Sequence, residues 1–176
     1  MAKADLKVIG LKGIMPRYVV AGGTKIEFGE PVHNLASYDN DGLADVNSIV
    51  LAAADIPVIG TSNFCGVSNK TSTVVAAGTI AEQWLPCALP VPDIGRIRGL
   101  GSTQASVDTL TELALLIMDK ALITYNATGG ADGGEGYTIA VTPAADVNGL
   151  TIVGGNTNLK TLDVIVDARA YCMDVT

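Results

Sequence analysis

Residues 64–92 read FCGVSNKTSTVVAAGTIAEQWLPCALPVP, and this stretch gives the clearest indication of the fold. Runs of apolar and β-branched residues alternate there with turn-forming residues, which is typical of short strands joined by tight connections. The strands predicted in it are Phe64–Val67, Thr71–Ala76 and Thr79–Leu85. Three prolines interrupt the pattern at Pro86, Pro90 and Pro92, and a proline cannot donate to the hydrogen-bond ladder of a sheet.

The same pattern continues on both sides of this stretch. Further predicted strands are Arg17–Val20, Thr24–Phe28, Val46–Ala53, Leu122–Asn126, Tyr137–Thr142, Leu150–Val153 and Leu162–Asp167. Many short strands with frequent turn signals predict a mainly β protein, built as a β-barrel or a β-sandwich.

One segment has the periodicity of a helix instead. Thr109 and Glu112 fit a capping box, in which the hydroxyl and the carboxylate each bind an otherwise unpaired backbone N–H. Apolar residues then recur at helical spacing, at Leu110, Leu113, Ala114, Ile117 and Met118. The sequence therefore predicts one short α-helix near residues 109–120.

The length of 176 residues suits one domain with an extension. Residues 1–16 contain three lysines and two glycines and end at Pro16, and we expect them to form an extended N-terminal arm. The alternative for this segment is a frayed terminus. We expect residues 17–101 to form a β-barrel-like region, and residues 102–176 to form a helix with β-hairpins packed in the same domain.

The composition indicates that part of the surface of this protein is covered by another protein subunit. Apolar residues make up 48% of the chain without its glycines, and charged residues only 16%, against about 25% in an ordinary soluble domain. The mean hydropathy is positive, at +0.38. A monomer with so few charges would expose large apolar patches, and such patches mark interaction surfaces. We therefore expect the protein to assemble with itself or with a partner.

Composition also argues against several classes of protein. The longest apolar stretches are far shorter than the roughly 18 residues of a membrane-spanning helix, and no apolar leader follows the N-terminus. The three cysteines form no CxxC pair, which suits reduced thiols in a chain made in a cytoplasm. A net charge of −7 with scattered basic residues argues against nucleic-acid binding.

The chain has few residues in patterns that are typical of catalytic, metal-binding or phosphate-binding sites. His33 is the only histidine and has no nucleophile signature nearby, while Cys65, between Phe64 and Gly66, resembles a small buried hydrophobe. The turn at 37–42 resembles the start of a calcium loop, but Ser37 stands at the first ligand position and Ser48 at the last. The glycine-rich segment 99–103 lacks the lysine of a phosphate-binding loop. We therefore expect no enzyme, no catalytic residues, no metal site and no cofactor.

Basic residues are the candidates for partner binding. Arg96 and Arg98 fall on one face of an extended chain, and a guanidinium suits bidentate pairing with a carboxylate. The alternative is a basic sheet edge that discourages strand addition. Carboxylates of a neighbouring copy, at Asp39, Asp41 or Asp45, are possible acceptors. The predicted partner-binding residues are Lys3, Lys7, Lys12, Arg96 and Arg98.

Two motifs resemble a known family. Gly29-Glu30-Pro31-Val32 follows the alternating segment Thr24–Phe28, and Phe64-Cys65-Gly66-Val67-Ser68 comes later. Together they resemble the small β-barrel decoration, or cement, proteins of tailed-bacteriophage capsids. The resemblance covers mainly residues 17–90, and the helix and hairpins after Gly101 lie beyond it.

This resemblance implies a non-enzymatic protein on the outside of a virion, made in the host cytoplasm. Such a protein binds the major capsid protein, often as a homotrimer, and bridges neighbouring subunits so that the shell is stabilised. Residues 1–16 would then add to a capsid strand by β-augmentation. The alternatives are another shell subunit (a coat, tail or fibre-base protein) and a ligand-binding β-barrel, for which the chain is poor in aromatic residues.

Overall fold

The computed structural model describes residues 6–20, 26–34, 48–51, 57–59, 64–71, 80–92, 94–126, 136–142 and 146–170. Within these ranges the protein is mainly β with one short helix, as the sequence predicts. The strands are β1 (Lys7–Ile9), β2 (Lys12–Val20), β3 (Pro31–Asn34), β4 (Ser48–Leu51), β5 (Phe64–Ser68), β6 (Ile80–Pro90), β7 (Arg96–Leu100), β8 (Lys120–Asn126), β9 (Gly136–Val141), β10 (Leu150–Asn156) and β11 (Thr161–Val166). The helix is α1 (Leu110–Leu116), and 3-10 turns occupy Gln104–Val107 and Ala168–Ala170.

The strands form two sheets. The first has six strands in the order β1-β7-β11-β10-β8-β9. The second is a five-stranded barrel, β2-β4-β3-β5-β6, which closes because β6 also pairs with β2. The six-stranded sheet curls as well, since Gly101 at the end of β7 forms a parallel bridge to Ile139 of β9.

One long antiparallel pairing joins the two sheets. The chain from Lys7 to Val20 runs against the chain from Ile80 to Leu100, first as β1 on β7 and then as β2 on β6. We call this pairing the shared ribbon. It passes from one sheet to the other where Leu11 meets the turn after β6, and there the Val91 N–H donates to the Leu11 carbonyl at 3.1 Å.

The shared ribbon changes the interpretation of the N-terminus. Residues 6–16 are extended, as expected, but they do not form an arm that stands apart from the domain. Leu6 is fully buried and Val8 nearly so, because alternate residues of this segment face the core. Residues 1–5, which include Lys3, lie outside the described part of the chain.

The boundary expected at residue 101 also differs from the structure. The barrel begins at Lys12, before the expected start at residue 17, and β7 lies in the six-stranded sheet although residues 17–101 were expected to form one barrel-like region. The six-stranded sheet is therefore built from both ends of the chain. Sequence periodicity cannot reveal this arrangement, because it reports local conformation and not which strands pair.

Two predicted strands have different limits in the structure. The strand expected at Thr24–Phe28 is not one over its described residues. There Glu27 N–H donates to the Glu30 carboxylate at 2.8 Å and Phe28 N–H to the Thr71 hydroxyl at 3.2 Å.

Conversely, β6 continues past Leu85 through Pro86, which lies opposite Pro16 in β2. Both prolines lack a backbone N–H, and they occupy the same position of the hydrogen-bond ladder between β2 and β6. Most of the strand expected at Thr71–Ala76 lies outside the described residues.

Helix α1 begins as predicted and ends earlier. The Thr109 hydroxyl accepts from Glu112 N–H at 3.2 Å, and the Glu112 carboxylate accepts from Thr109 N–H at 2.9 Å, so the capping box is confirmed. After Leu116 the chain becomes extended, and Met118 has a positive φ of 76°. Of the predicted apolar stripe only Leu113 is buried, whereas Leu110 is 77% exposed.

The described core has a large part and a small part. The large part lies against the inner face of the six-stranded sheet and includes Val67 and Ala88 from the barrel strands. The small part lies within the barrel and consists of Ile26, Val32, Cys65, Leu85 and Cys87. Cys65 and Cys87 are both buried, so Cys65 is the small buried residue that its neighbours predict. Both sheets therefore share one principal core.

A substitution at Gly95 tests the close approach of the two segments at the crossing point of the shared ribbon. A methyl group there would lie 2.5 Å from Val91 N and 2.8 Å from Pro90 Cα, and it would also clash with the Leu11 carbonyl. We expect Gly95→Ala to lower the free energy of unfolding by about 1–3 kcal/mol, as overpacked positions do. Chemical denaturation measures this change.

Gly13→Ala is the matched control, because no atom lies within 4 Å of an added methyl group at that position of β2. We expect it to change the free energy of unfolding by less than about 0.5 kcal/mol. Equal effects of the two substitutions would contradict the described crossing.

Candidate functional site

Within the shared ribbon, the pairing of β1 with β7 brings together three of the five predicted partner-binding residues. Lys7 in β1 is paired with Arg98 in β7, and Ile9 is paired with Arg96. Directly opposite residues of an antiparallel pair share a face of the sheet, as do residues two apart in one strand. Lys7, Arg96 and Arg98 therefore lie on the outer face of the six-stranded sheet, opposite the buried Val8 and Ile97.

Arg98 already has a carboxylate partner within the chain. Its Nε donates to Asp163 Oδ1 at 2.6 Å and its Nη2 to Asp163 Oδ2 at 2.8 Å. Hydrogen bonding to Asp163 raises the pKa of Arg98 above its ordinary value, and the negative charge of Asp163 acts in the same direction. The clamp expected between Arg98 and a partner chain is thus an internal pair, and Asp163 fixes the orientation of the guanidinium.

Asp163 is the residue that sequence reasoning missed. It lies in β11 between the buried Leu162 and Val164, and it is itself only 4% exposed. A carboxylate buried in a strand needs a hydrogen-bonding cation, because an isolated buried charge is strongly unfavourable. The sequence shows only a polar residue between two apolar ones. Both the burial of Asp163 and the identity of its cation depend on the register that places Asp163 opposite Arg98.

Lys7 and Arg96 remain available to a partner. Both side chains are exposed, and neither makes an ion pair or hydrogen bond that involves the described residues. Lys12 is exposed too and makes a long contact of 3.5 Å from Nζ to the Val8 carbonyl. The strand that carries Arg96 is not a sheet edge, since β1 and β11 flank it. Its arginines therefore do not protect an edge.

Large apolar side chains are exposed along the same ribbon. Leu11 is 60% exposed, Ile94 58% and Ile14 49%. Leu11 and Ile94 belong to the crossing point, where the two segments pack together. We define the ribbon surface as the following exposed residues: Lys7, Leu11, Lys12, Ile14, Ile94 and Arg96. Exposed apolar side chains in a segment that also carries cations without an ion pair favour a protein-binding role.

A second ion pair lies at the end of β11. Arg169 donates from Nη2 to Asp167 Oδ2 at 2.7 Å and from Nε to Oδ1 at 3.0 Å. These hydrogen bonds lower the pKa of Asp167 to about 2, and the nearby charge of Lys120 contributes. Lys120 itself donates to the Thr151 hydroxyl at 3.1 Å. This pair is local, because its two residues are neighbours in sequence.

Among the residues that the structure describes, no group of three or more His, Cys, Asp or Glu side chains is arranged to hold a metal ion. The same part of the chain contains no helix that is long and apolar enough to cross a membrane. The calcium-like turn at 37–42 lies outside the described residues, as does the side chain of His33. The ribbon surface is therefore the candidate site that the described residues define best.

No protein-family model matches the chain, and no characterised protein is significantly similar to it. The resemblance of the two short motifs to capsid decoration proteins has no support from either comparison.

The pair between Arg98 and Asp163 can be tested by stability. We expect Arg98→Gln to lower the free energy of unfolding by about 1–3 kcal/mol, because it leaves a buried carboxylate without its charged partner. Arg98→Gln combined with Asp163→Asn should cost less than the sum of the two single substitutions. Arg96→Gln, on the same face of the same strand, should change stability by less than about 0.5 kcal/mol. Additive effects at 98 and 163 would contradict the pairing.

Asp167 gives the protein a pH-dependent contribution to stability. Its folded-state pKa of about 2 lies below the ordinary value of 3.8, so its ionised form favours the folded state. Wild-type protein should exceed Asp167→Asn in stability at pH 7, and this difference should disappear as the pH falls from about 4 to about 2. Denaturation at several pH values measures it. Arg169→Gln should show the same loss, and a difference that persists below pH 2 would contradict the assignment.

Proposed function

We propose that the protein is a non-enzymatic viral structural protein that binds the outside of a capsid and stabilises it by bridging major capsid proteins. In this proposal it acts as a homotrimer on the exterior of the virion, after synthesis in the host cytoplasm. The observation that carries the proposal is the ribbon surface, which combines exposed apolar residues and unpaired cations on a chain of net charge −7.

The apolar part of the ribbon surface would supply affinity. Complete burial of a large aliphatic side chain contributes roughly 1.5–3 kcal/mol, and Leu11, Ile14 and Ile94 each have about half of their surface still to bury. Association has its own entropic cost, so three such residues support only a weak contact per subunit. A homotrimer would present three copies, and joined contacts bind far more tightly than single ones.

The cationic part would supply orientation. Lys7 and Arg96 are exposed, and exposed ion pairs contribute little to affinity but accelerate encounter and reject like-charged surfaces. The chain as a whole is acidic, so a cationic ribbon surface directs one particular side of it toward a carboxylate-bearing partner. The shell subunit is that partner in this proposal.

A bridging protein needs more than one contact surface, and α1 offers a second. Leu110 and Leu115 are 77% and 75% exposed on this helix, and Met118 just after it is 71% exposed. Apolar residues this exposed on a chain with so few charges favour further protein contacts. They also support an assembly protein of another kind, such as a coat, tail or fibre-base subunit.

Charge reversal at Arg96 tests the proposal. We expect Arg96→Glu to weaken binding to preformed capsid shells by about tenfold at low ionic strength, measured by co-sedimentation. Lys70→Glu is the matched control, since Lys70 is exposed beyond β5, is not one of the residues of the ribbon surface, and undergoes the same charge change. Equal binding by the two variants would contradict the ribbon surface as the docking site.

The oligomeric state separates the proposal from its nearest alternative. A decoration protein should sediment alone as a small oligomer and should raise the temperature at which shells rupture when it is added to them. A coat protein should form shells unaided, and that result would overturn the proposal.

A further inference from the structure

The outward side of α1 is made of uncharged residues. Leu113 is buried and anchors the helix, while Leu110, Thr111, Ala114 and Leu115 are exposed on the side turned away from it. Leu110 is 77% exposed and Leu115 75%. A helix at a solvent-facing surface ordinarily carries charged and polar residues on this side, so we expect another protein to cover it. We call these four exposed residues the α1 surface.

The α1 surface and the cations of the ribbon surface lie on different sides of the six-stranded sheet. Leu113 lies against Gly155 of β10, where an added methyl group would be 3.0 Å from the Leu113 Cδ1 atom. Gly155 is paired with Leu162, whose side chain belongs to the main core, so α1 lies on the inner side of β10. Lys7 and Arg96 lie on the outer face. A contact through the α1 surface therefore leaves these two cations free for another partner.

The carboxylates near α1 are engaged within the chain or partly covered. Asp108, just before the helix, forms an ion pair with Lys160. The Glu112 carboxylate is held in the capping box at the start of the helix. Asp119, after the helix, is only partly exposed and is followed directly by Lys120. The segment around α1 therefore presents no fully exposed carboxylate that lacks a partner.

This neutrality is what a contact between identical chains requires. Copies that each carry a net charge of −7 repel one another in most orientations. Around a symmetry axis the same residues of each copy come together, so an unpaired carboxylate there would face its own equivalents. An uncharged apolar face avoids this repulsion and is complementary to itself. The cores of protein interfaces are likewise depleted in charged residues.

We propose that the α1 surface is the contact between copies of this chain, with the α1 helices packed around the symmetry axis of the homotrimer. The inference rests on the proposed function for the number of copies. It adds to that function the surface through which the copies join, and it leaves the ribbon surface of every copy for the shell.

Sedimentation equilibrium of the purified full chain, without capsid shells, tests this contact. We expect the wild type to form an oligomer of its 18.0 kDa chains. Leu115→Lys should associate at least about a hundredfold more weakly, because it brings identical cations together at the axis. The substitution lowers the net negative charge of each copy, so repulsion between whole chains does not account for such a loss.

Leu115→Ala provides a second variant that adds no charge and keeps a residue of high helix propensity. It removes apolar surface from the contact and should weaken association about tenfold. This variant keeps the inference testable even if Leu115→Lys fails to fold.

Ile94→Lys is the matched control, because it makes the same charge change at an apolar residue that is 58% exposed on the ribbon surface. We expect it to associate like the wild type. A monomeric wild type, wild-type association of both Leu115 variants, or equal dissociation of Ile94→Lys and Leu115→Lys would overturn the inference. Shell binding is measured separately with Arg96→Glu. A dimer that Leu115→Lys dissociates would support the contact and contradict the trimer of the proposed function.

Discussion

The shared ribbon is the constraint on which the rest of the structure depends. It supplies the longest pairing of the barrel, β2 on β6, and continues as the pairing of β1 on β7 that begins the six-stranded sheet. At the crossing, Gly95 leaves room for the close approach of Leu11 and Val91 that no other residue type would allow. Because Val67 and Ala88 of the barrel strands enter the main core, the two sheets bury part of their apolar surface against each other.

The same ribbon determines where charge is found on the surface. It places Lys7, from the beginning of the chain, directly opposite Arg98. Asp163 then holds Arg98 from the other side, so one cation of the group is fixed while Lys7 and Arg96 stay unpaired within the described residues. The shared ribbon of a chain with so few charged residues thus carries both cations and exposed apolar side chains.

Local features of the fold could be predicted from the sequence, and pairing could not. The capping box at Thr109 and the alternation in β8 to β11 act over a few residues, and they identified the helix start and the strands. The end of the helix depended on Met118, whose N–H donates to the Ile152 carbonyl at 2.8 Å, a contact between distant segments. For the site, the residue types singled out Lys7, Arg96 and Arg98. Their proximity, the role of Asp163 and the exposure of Leu11 all depend on strand register.

Cryo-electron microscopy of capsid shells decorated with this protein tests the central claim most directly, namely that the ribbon surface is the docking side. We expect the shell subunits to contact Lys7, Leu11, Ile94 and Arg96, with Arg96 near a carboxylate. A reconstruction in which the protein sits on the shell with the ribbon surface facing solvent would contradict the account.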